Sequence, residues 1–277
     1  MFPVGLSTCS KTTDERFFAD CAAAGIRFLE ISPRADAYDA VDWLCLRKNA
    51  DAYGVQLRSF HLPFLPFETL DISALDPGIR RASVRRDTEL LFRAADAGVG
   101  IFVIHPSGEP IADADRETRM AAAKESLSAL CETAAECGGT LAVENLPRTC
   151  LGRDAGEITE LLTADGRLRV CFDTNHLLRE SHDAFLRKTG DKIVTTHVSD
   201  YDFIDEKHWL PGEGDVDWPA LAAALYKTGY RGAWVYELGF GAPSTLRRPR
   251  DLTPEDFARN AAEIFEGGPL TVTGRRK

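Results

Sequence analysis

Residues 98–106 read Gly98-Val-Gly-Ile-Phe-Val-Ile-His-Pro106. A glycine able to end a helix is followed by a short apolar, mostly β-branched run, and that run stops on a histidine. The preceding stretch, Arg80–Ala97, has the apolar spacing of an amphipathic helix. Helix, glycine, strand, polar residue: this unit recurs along the whole chain. The apolar runs are Val4–Thr8, Phe28–Ser32, Leu57–Leu62, Ile101–His105, Leu141–Asn145, Leu168–Thr174, Val194–Asp200 and Ala233–Leu238.

Helical patterns fill the gaps. Thr13-Asp14 opens Glu15–Ala24, which Gly25 ends; Asp36–Tyr53 stops at Gly54, and Arg116–Cys137 at Gly138-Gly139. Asp217–Thr228 runs to Gly229, and Pro254–Glu266 to Gly267-Gly268. Alternating strands and helices predict an α/β fold with a parallel sheet. Eight units, at roughly 35 residues each, favour a closed (β/α)8 barrel over an open sheet. A doubly wound sheet would place G-x-G-x-x-G after its first strand, and none follows Val4–Thr8. No linker divides the chain, so the expectation is one barrel domain over 1–266 and a tail over 267–277 that frays.

Composition narrows the function. With 33 Lys+Arg against 43 Asp+Glu the formal charge is −10, which makes nucleic acid an unlikely partner. No apolar run approaches the ~18 residues of a membrane span. The first residues show no basic stretch ahead of a long apolar core, so no secretory leader is expected. Seven scattered cysteines without a C-x-x-C pair read as buried hydrophobes in a reducing cytoplasm.

The chemistry lies where the runs end. They close on His61, on His105, on Glu144-Asn145, on Asp173-Thr-Asn-His176, on His197-Val-Ser-Asp200 and on Glu237. Four of the six histidines stand at these ends. In a parallel barrel those ends converge on one face, where active sites lie. Each residue alone could be an ordinary hydrogen-bonded core group. Together they could not, because buried carboxylates cost several kcal/mol unless paired or metal-bound, and no Lys or Arg is adjacent except Arg148. Glu144, Asp173, His197 and Glu237 therefore predict a divalent metal site of three carboxylates and one imidazole. Such a set suits Mn²⁺ first, with Mg²⁺, Zn²⁺ or Co²⁺ also accommodated, and leaves positions for two substrate oxygens. A hydroxy-carbonyl compound would chelate that ion, which would stabilise an enediolate while carboxylates move the proton.

At these residues the sequence resembles the xylose isomerase-like TIM-barrel superfamily of sugar phosphate isomerases/epimerases, ketose 3-epimerases and AP endonuclease family 2 proteins. The resemblance runs from Val4 to Phe265. It is carried by Val143-Glu-Asn145, Phe172-Asp-Thr-Asn-His176, Thr196-His-Val-Ser-Asp200, Tyr236-Glu-Leu238 and the loop Lys207-His-Trp-Leu-Pro-Gly-Glu-Gly-Asp-Val-Asp-Trp218. It implies that Glu144, Asp173, His197 and Glu237 hold the metal, and that Glu144 and Glu237 are the acid/base pair of a sugar or sugar-phosphate isomerase/epimerase. It further implies substrate contacts from His176 and His208, with His61, His105 and Arg148 also at the site. Relatives assemble as dimers or tetramers, so a homo-oligomer is compatible. Two positions depart from the ketose 3-epimerase pattern: Phe203 stands where those enzymes place an Arg, and Cys150 where they place a Glu.

Two other functions fit the same residues. His61, His105, Glu144, Asp173, His176, His197, Glu206, His208 and Glu237 nearly reproduce the nine ligands of a trinuclear zinc AP endonuclease, with Glu206 replacing an Asp. That enzyme would need cations on the catalytic face, and of the basic clusters only Arg247-Arg-Pro-Arg250 follows a strand end. A non-catalytic sugar-binding barrel is the other.

Overall fold

The computed structural model describes all 277 residues. Eight strands, β1 (Val4–Ser7), β2 (Phe28–Ile31), β3 (Gln56–His61), β4 (Ile101–Ile104), β5 (Thr140–Glu144), β6 (Arg169–Asp173), β7 (Ile193–His197) and β8 (Trp234–Tyr236), form one parallel sheet in the order 7-6-5-4-3-2-1-8. Val198 N–H donates to the Val235 carbonyl (2.8 Å) and Glu237 N–H to the Val198 carbonyl (3.1 Å), which closes β7 on β8. The barrel is complete.

Around it lie α1 (Glu15–Ala23), α2 (Trp43–Tyr53), α3 (Pro77–Asp96), α4 (Arg116–Glu136), α5 (Ala155–Leu161), α6 (His182–Thr189), α7 (Trp218–Lys227) and α8 (Pro254–Glu266). α5 and α6 are short helices that the glycine-stop pattern does not reveal; their starts are marked by Asp154 and Ser181, which cap them. The helix expected from Asp36 begins only at Trp43, because the Asp42 carboxylate caps the Cys45 N–H (2.9 Å) and restarts the helix there. The residues before it serve the barrel mouth instead: Tyr38 is buried and its hydroxyl donates to the His61 carbonyl (3.1 Å).

Strand alternation decides which side chains meet. Phe102, Ile104, Leu141, Val143, Val170 and Phe172 join the 58-residue core between sheet and helices. Their neighbours Ile101, Val103, Ala142 and Cys171 form a separate small cluster inside the barrel. Two residues further along the inner face come His105 after Val103, Glu144 after Ala142 and Asp173 after Cys171. The inward register delivers them to one place.

The chain after α8 does not fray. Residues Arg275–Arg276 pair as β10 with β9 (Leu246–Arg247), and the Arg276 guanidinium binds Asp215 (2.7 Å). The Thr273 hydroxyl donates to Glu213 (2.9 Å). These contacts supply the ordering that composition alone does not reveal. No helix is long and apolar enough to cross a membrane.

Candidate metal centre

Glu144, Asp173, His197 and Glu237 place one ligand atom each within 4.8 Å of the others. Glu144 is the hub. Its Oε1 lies 3.0 Å from His197 Nδ1 and 3.5 Å from His176 Nδ1; its Oε2 lies 3.2 Å from His61 Nε2 and 3.3 Å from His105 Nε2. Glu237 Oε2 is 3.5 Å and Asp173 Oδ2 3.9 Å from His197 Nδ1. Asn145 clips β5 to β6: its amide donates to the Asp173 carbonyl (2.9 Å), and its oxygen accepts the Asp173 N–H (2.8 Å). Asp173 Oδ1 accepts the Asn175 N–H (2.6 Å), while Oδ2 is buried with no partner.

Backbone carbonyls orient the flanking imidazoles. His61 Nδ1 lies 2.8 Å from the Leu62 carbonyl, His176 Nδ1 3.0 Å from that of Asn145, and His208 Nδ1 3.1 Å from that of Glu237. Carbonyls only accept, so each ring carries a proton on Nδ1; His61 Nε2 then faces Glu144 Oε2 (3.2 Å) and His176 Nε2 faces Glu206 Oε2 (3.3 Å). His197 is reversed: its Nε2 sits 2.9 Å from Glu30 Oε1, leaving Nδ1 for the centre.

Burial alone would raise every carboxylate pKa here and lower every imidazole. Burial does push Asp173 up to about 6, with the Glu144 charge adding to it, and raises Glu237 in the same way. Glu144 resists burial and is held well below the carboxylate range by His197 and His105. Burial depresses His105 to about 4. His176 and His197 oppose burial and lie well above the ordinary value, His176 chiefly through Asp173, and His197 with Glu237 and Glu30 among the anions around it. Protonated imidazoles thus supply the positive charge the carboxylates need. A divalent cation would supply it better, and the orphan Asp173 oxygen together with two further carboxylates and one imidazole nitrogen fits Mn²⁺-class ions.

Residues 18–259 match the sequence family described as xylose isomerase-like TIM barrel. The chain belongs to that family. It is 26% identical to the D-psicose 3-epimerase of Enterocloster bolteae, with 92% of this chain and 88% of the relative aligned. It is 28% identical to the fructoselysine 3-epimerase of Escherichia coli O157:H7 over 48% of this chain and 53% of that one. Among solved structures, a D-tagatose 3-epimerase-like protein superposes with a TM-score of 0.78 at 19% identity, covering 96% of each chain, a likeness of fold.

Within this xylose isomerase-like barrel, the remaining predicted residues fall into place around the centre. His176, Glu206 and His208 form a second cluster of ligand type, and His61, His105 and Glu144 a third. Glu206 is held down at about 2, burial being outweighed by its contact with His176. Arg148 ties three loops together, meeting Glu109 at 2.6 Å, Asp205 at 2.9 Å and Glu206 at 3.2 Å. The residue that the sequence reading misses is Glu30, wholly buried in β2, with Oε2 accepting from Ser59 (2.9 Å). A glutamate inside the apolar run Phe28-Leu-Glu-Ile31 was the available signal.

The basic loop after β8 is committed elsewhere: Arg248 pairs with Glu213 (2.7 Å) and Arg250 with Asp256 (2.6 Å). A cavity of about 380 Å³ opens beside Glu237 and His208, walled by Tyr38, Phe64 and Leu238. Another cleft, of about 710 Å³, lies at the opposite end of the barrel around Arg58 and Tyr230 and contains no histidine. Of the strand-end residues, Glu237 lines the first and none lines the second.

Proposed function

We propose that the protein is a divalent-metal-dependent epimerase of a sugar or sugar derivative, an enzyme of the isomerase class. The observation that carries this reading is the position of Glu144 and Glu237. They come from β5 and β8, on different sides of the ring, and approach the same His197 nitrogen at 3.0 and 3.5 Å. A substrate between them would meet one carboxylate on each face. Inverting a carbon needs that arrangement: one carboxylate removes the proton and the other returns one from the opposite side.

Glu144, Asp173, His197 and Glu237 would hold the metal, Mn²⁺ being the first choice, and when bound it would act as a Lewis acid for two adjacent substrate oxygens. His176 and His208 would orient those oxygens. Glu30 would fix the His197 ring, and the Tyr38–Phe64 wall would exclude water from one side. The epimerase relatives support the substrate class. The test is solvent-exchange NMR in D₂O with Mn²⁺ saturating, across ketoses, aldoses and their derivatives. Deuterium should enter at the inverted carbon. Turnover with no solvent deuterium would remove the two-glutamate mechanism, and turnover of nothing would favour a non-catalytic sugar-binding barrel.

One observation favours a second reading. The nine residues expected of a trinuclear zinc nuclease do gather into three ligand clusters. The engagement of Arg248 and Arg250 in ion pairs, and the charge of −10, leave a poor surface for phosphodiester backbones. Nicking of abasic duplex DNA that needs His61 and His208 would reverse this ranking.

A further inference from the structure

The cleft beyond the metal centre speaks to what the sugar carries. The cavity beside Glu237, at about 380 Å³, already lies in the ~300–1,000 Å³ range of small-molecule sites and is large enough for a monosaccharide by itself. It does not stop there. A second compartment of about 800 Å³ extends outward between the loops after β1 and β2, and the two share Ser10, Ser32, Pro33 and Arg34 in their walls. A free ketose would leave it to water.

Its lining mixes apolar and polar residues. Ile31 and Leu46 line it, together with the hydroxyl-bearing Ser10, Thr12, Thr13 and Ser32. Two cations border it. Lys11 is committed, its ammonium donating to the carbonyls of Ser7 (2.8 Å), Cys9 (3.1 Å) and Leu238 (2.7 Å). Arg34 is not. It stands where the compartments join and is paired only with Asp36, through a two-point contact (Nε–Oδ1 and Nη2–Oδ2, both 3.4 Å) between side chains 79% and 73% exposed. Such a pair contributes little and is readily exchanged. A guanidinium offers forked donors matched to carboxylate or phosphate. The bordering starts of α1 and α2 are already capped by Asp14 and Asp42, so Arg34 is the group left to recognise an anion.

We propose that the substrate is a sugar bearing a polar, anionic appendage, with its sugar carbons between Glu144 and Glu237 and its carboxylate or phosphate against Arg34 in the compartment between the β1 and β2 loops. The position of the sugar rests on the epimerase reading; the compartment is tested separately.

Cys45 makes it addressable, being exposed and part of the lining. The Mn²⁺-loaded protein would be alkylated in the presence of D-fructose, D-fructose 6-phosphate, ε-N-fructosyl-lysine or inorganic phosphate, and the Cys45 adduct followed by mass spectrometry. At least one of the two conjugates should slow Cys45 alkylation about tenfold, as a charged hydrogen bond allows, with D-fructose and phosphate alone having little effect. Arg34→Ala should abolish that protection, and which conjugate protects distinguishes phosphate from carboxylate. In deuterium-exchange kinetics the same conjugate should exceed D-fructose in kcat/KM by about tenfold or more. Ala40→Trp, which fills the compartment, should raise KM for the conjugate far more than for D-fructose. Equal protection by D-fructose, no protection by either conjugate, or an Ala40→Trp effect shared by all substrates would overturn the proposal. Protection of Cys45 without deuterium in any sugar would sink the epimerase reading and leave the compartment standing.

Discussion

Two groups of buried carboxylates lie on the same face of this barrel, and their surroundings differ. Asp200 and Glu213 organise the loop before α7. Asp200 accepts from Gly212 N (2.8 Å), Gly214 N (2.9 Å), Trp218 Nε1 (2.8 Å), Tyr201 N (2.9 Å) and Val216 N (3.2 Å). Glu213 takes both arms of Arg248 (2.9 and 2.7 Å), the Leu210 N–H and the Thr273 hydroxyl. The loop glycines follow from this. Gly212 has φ +96°, and a Cβ on Gly214 would collide with the Asp200 carboxylate. At the strand ends, Glu144, Asp173 and Glu237 have neither a guanidinium nor a cage of amides; imidazoles are their main partners, and Asp173 Oδ2 accepts no hydrogen bond. A satisfied carboxylate holds a fold together. An unsatisfied cluster is the one that could take up a cation.

The sharpest way to break this contrast is to remove one carboxylate from each group. Glu237→Gln, assayed with metal saturating, should lower exchange by ~10²–10⁴-fold, the usual worth of an acid–base group, while urea denaturation stays nearly unchanged. Glu213→Ala should do the reverse. It strands Arg248, whose side chain is 1% exposed, and breaking a buried pair from one side costs ~3–5 kcal/mol. The denaturation midpoint should fall, and the 267–277 segment should become protease-sensitive. A stable Glu213→Ala protein with its tail still protected would show that the loop group is not structural.

Metal addition sharpens the comparison further. Mn²⁺ at about 100 times its Kd should stabilise the wild type by ~2.7 kcal/mol, seen as a rise in Tm. Asp173→Asn should lose that rise; Asp256→Asn, altering a carboxylate already held by Arg250 and Arg259, should keep it. Loss of the rise in both variants, or in neither, contradicts the assignment.

Asp87 is a third case and the smallest expected effect. It is buried in α3, Oδ1 has no partner, and burial pushes its pKa well above the ordinary value. The folded state therefore keeps a proton that the unfolded chain releases above ~3.9. Stability should fall as pH rises from there to the folded-state pKa and level off above it. Asp87→Asn should flatten this slope and raise stability at pH 8, read from denaturation at several pH values.

The barrel was legible because its periodicity is redundant: strand, helix and glycine stop recur, and the ends of the runs carry uncommon polar residues. Glu144, Asp173, His197 and Glu237 could be named since each follows an apolar run by a fixed step. Glu30 escaped because it lies inside its run, where hydrophobic context hides a single acid. The roles of Arg248 and Arg250 were equally invisible, since their partners Glu213 and Asp256 become neighbours only through folding. Arg148 likewise shows three acidic partners, of which Asp205 and Glu206 lie far along the chain. Periodicity reports which face a residue takes; it does not report what waits there.

The strand-end cluster is proposed to hold a divalent ion. Crystals soaked in Mn²⁺, with data collected to give an anomalous-difference map, test it most directly. A peak is expected within ~2.0–2.6 Å of the Glu144, Asp173 and Glu237 oxygens and the His197 nitrogen, with the His197 contact made through Nδ1. A map with no peak there, or with its only peak at His176, Glu206 and His208, would contradict it.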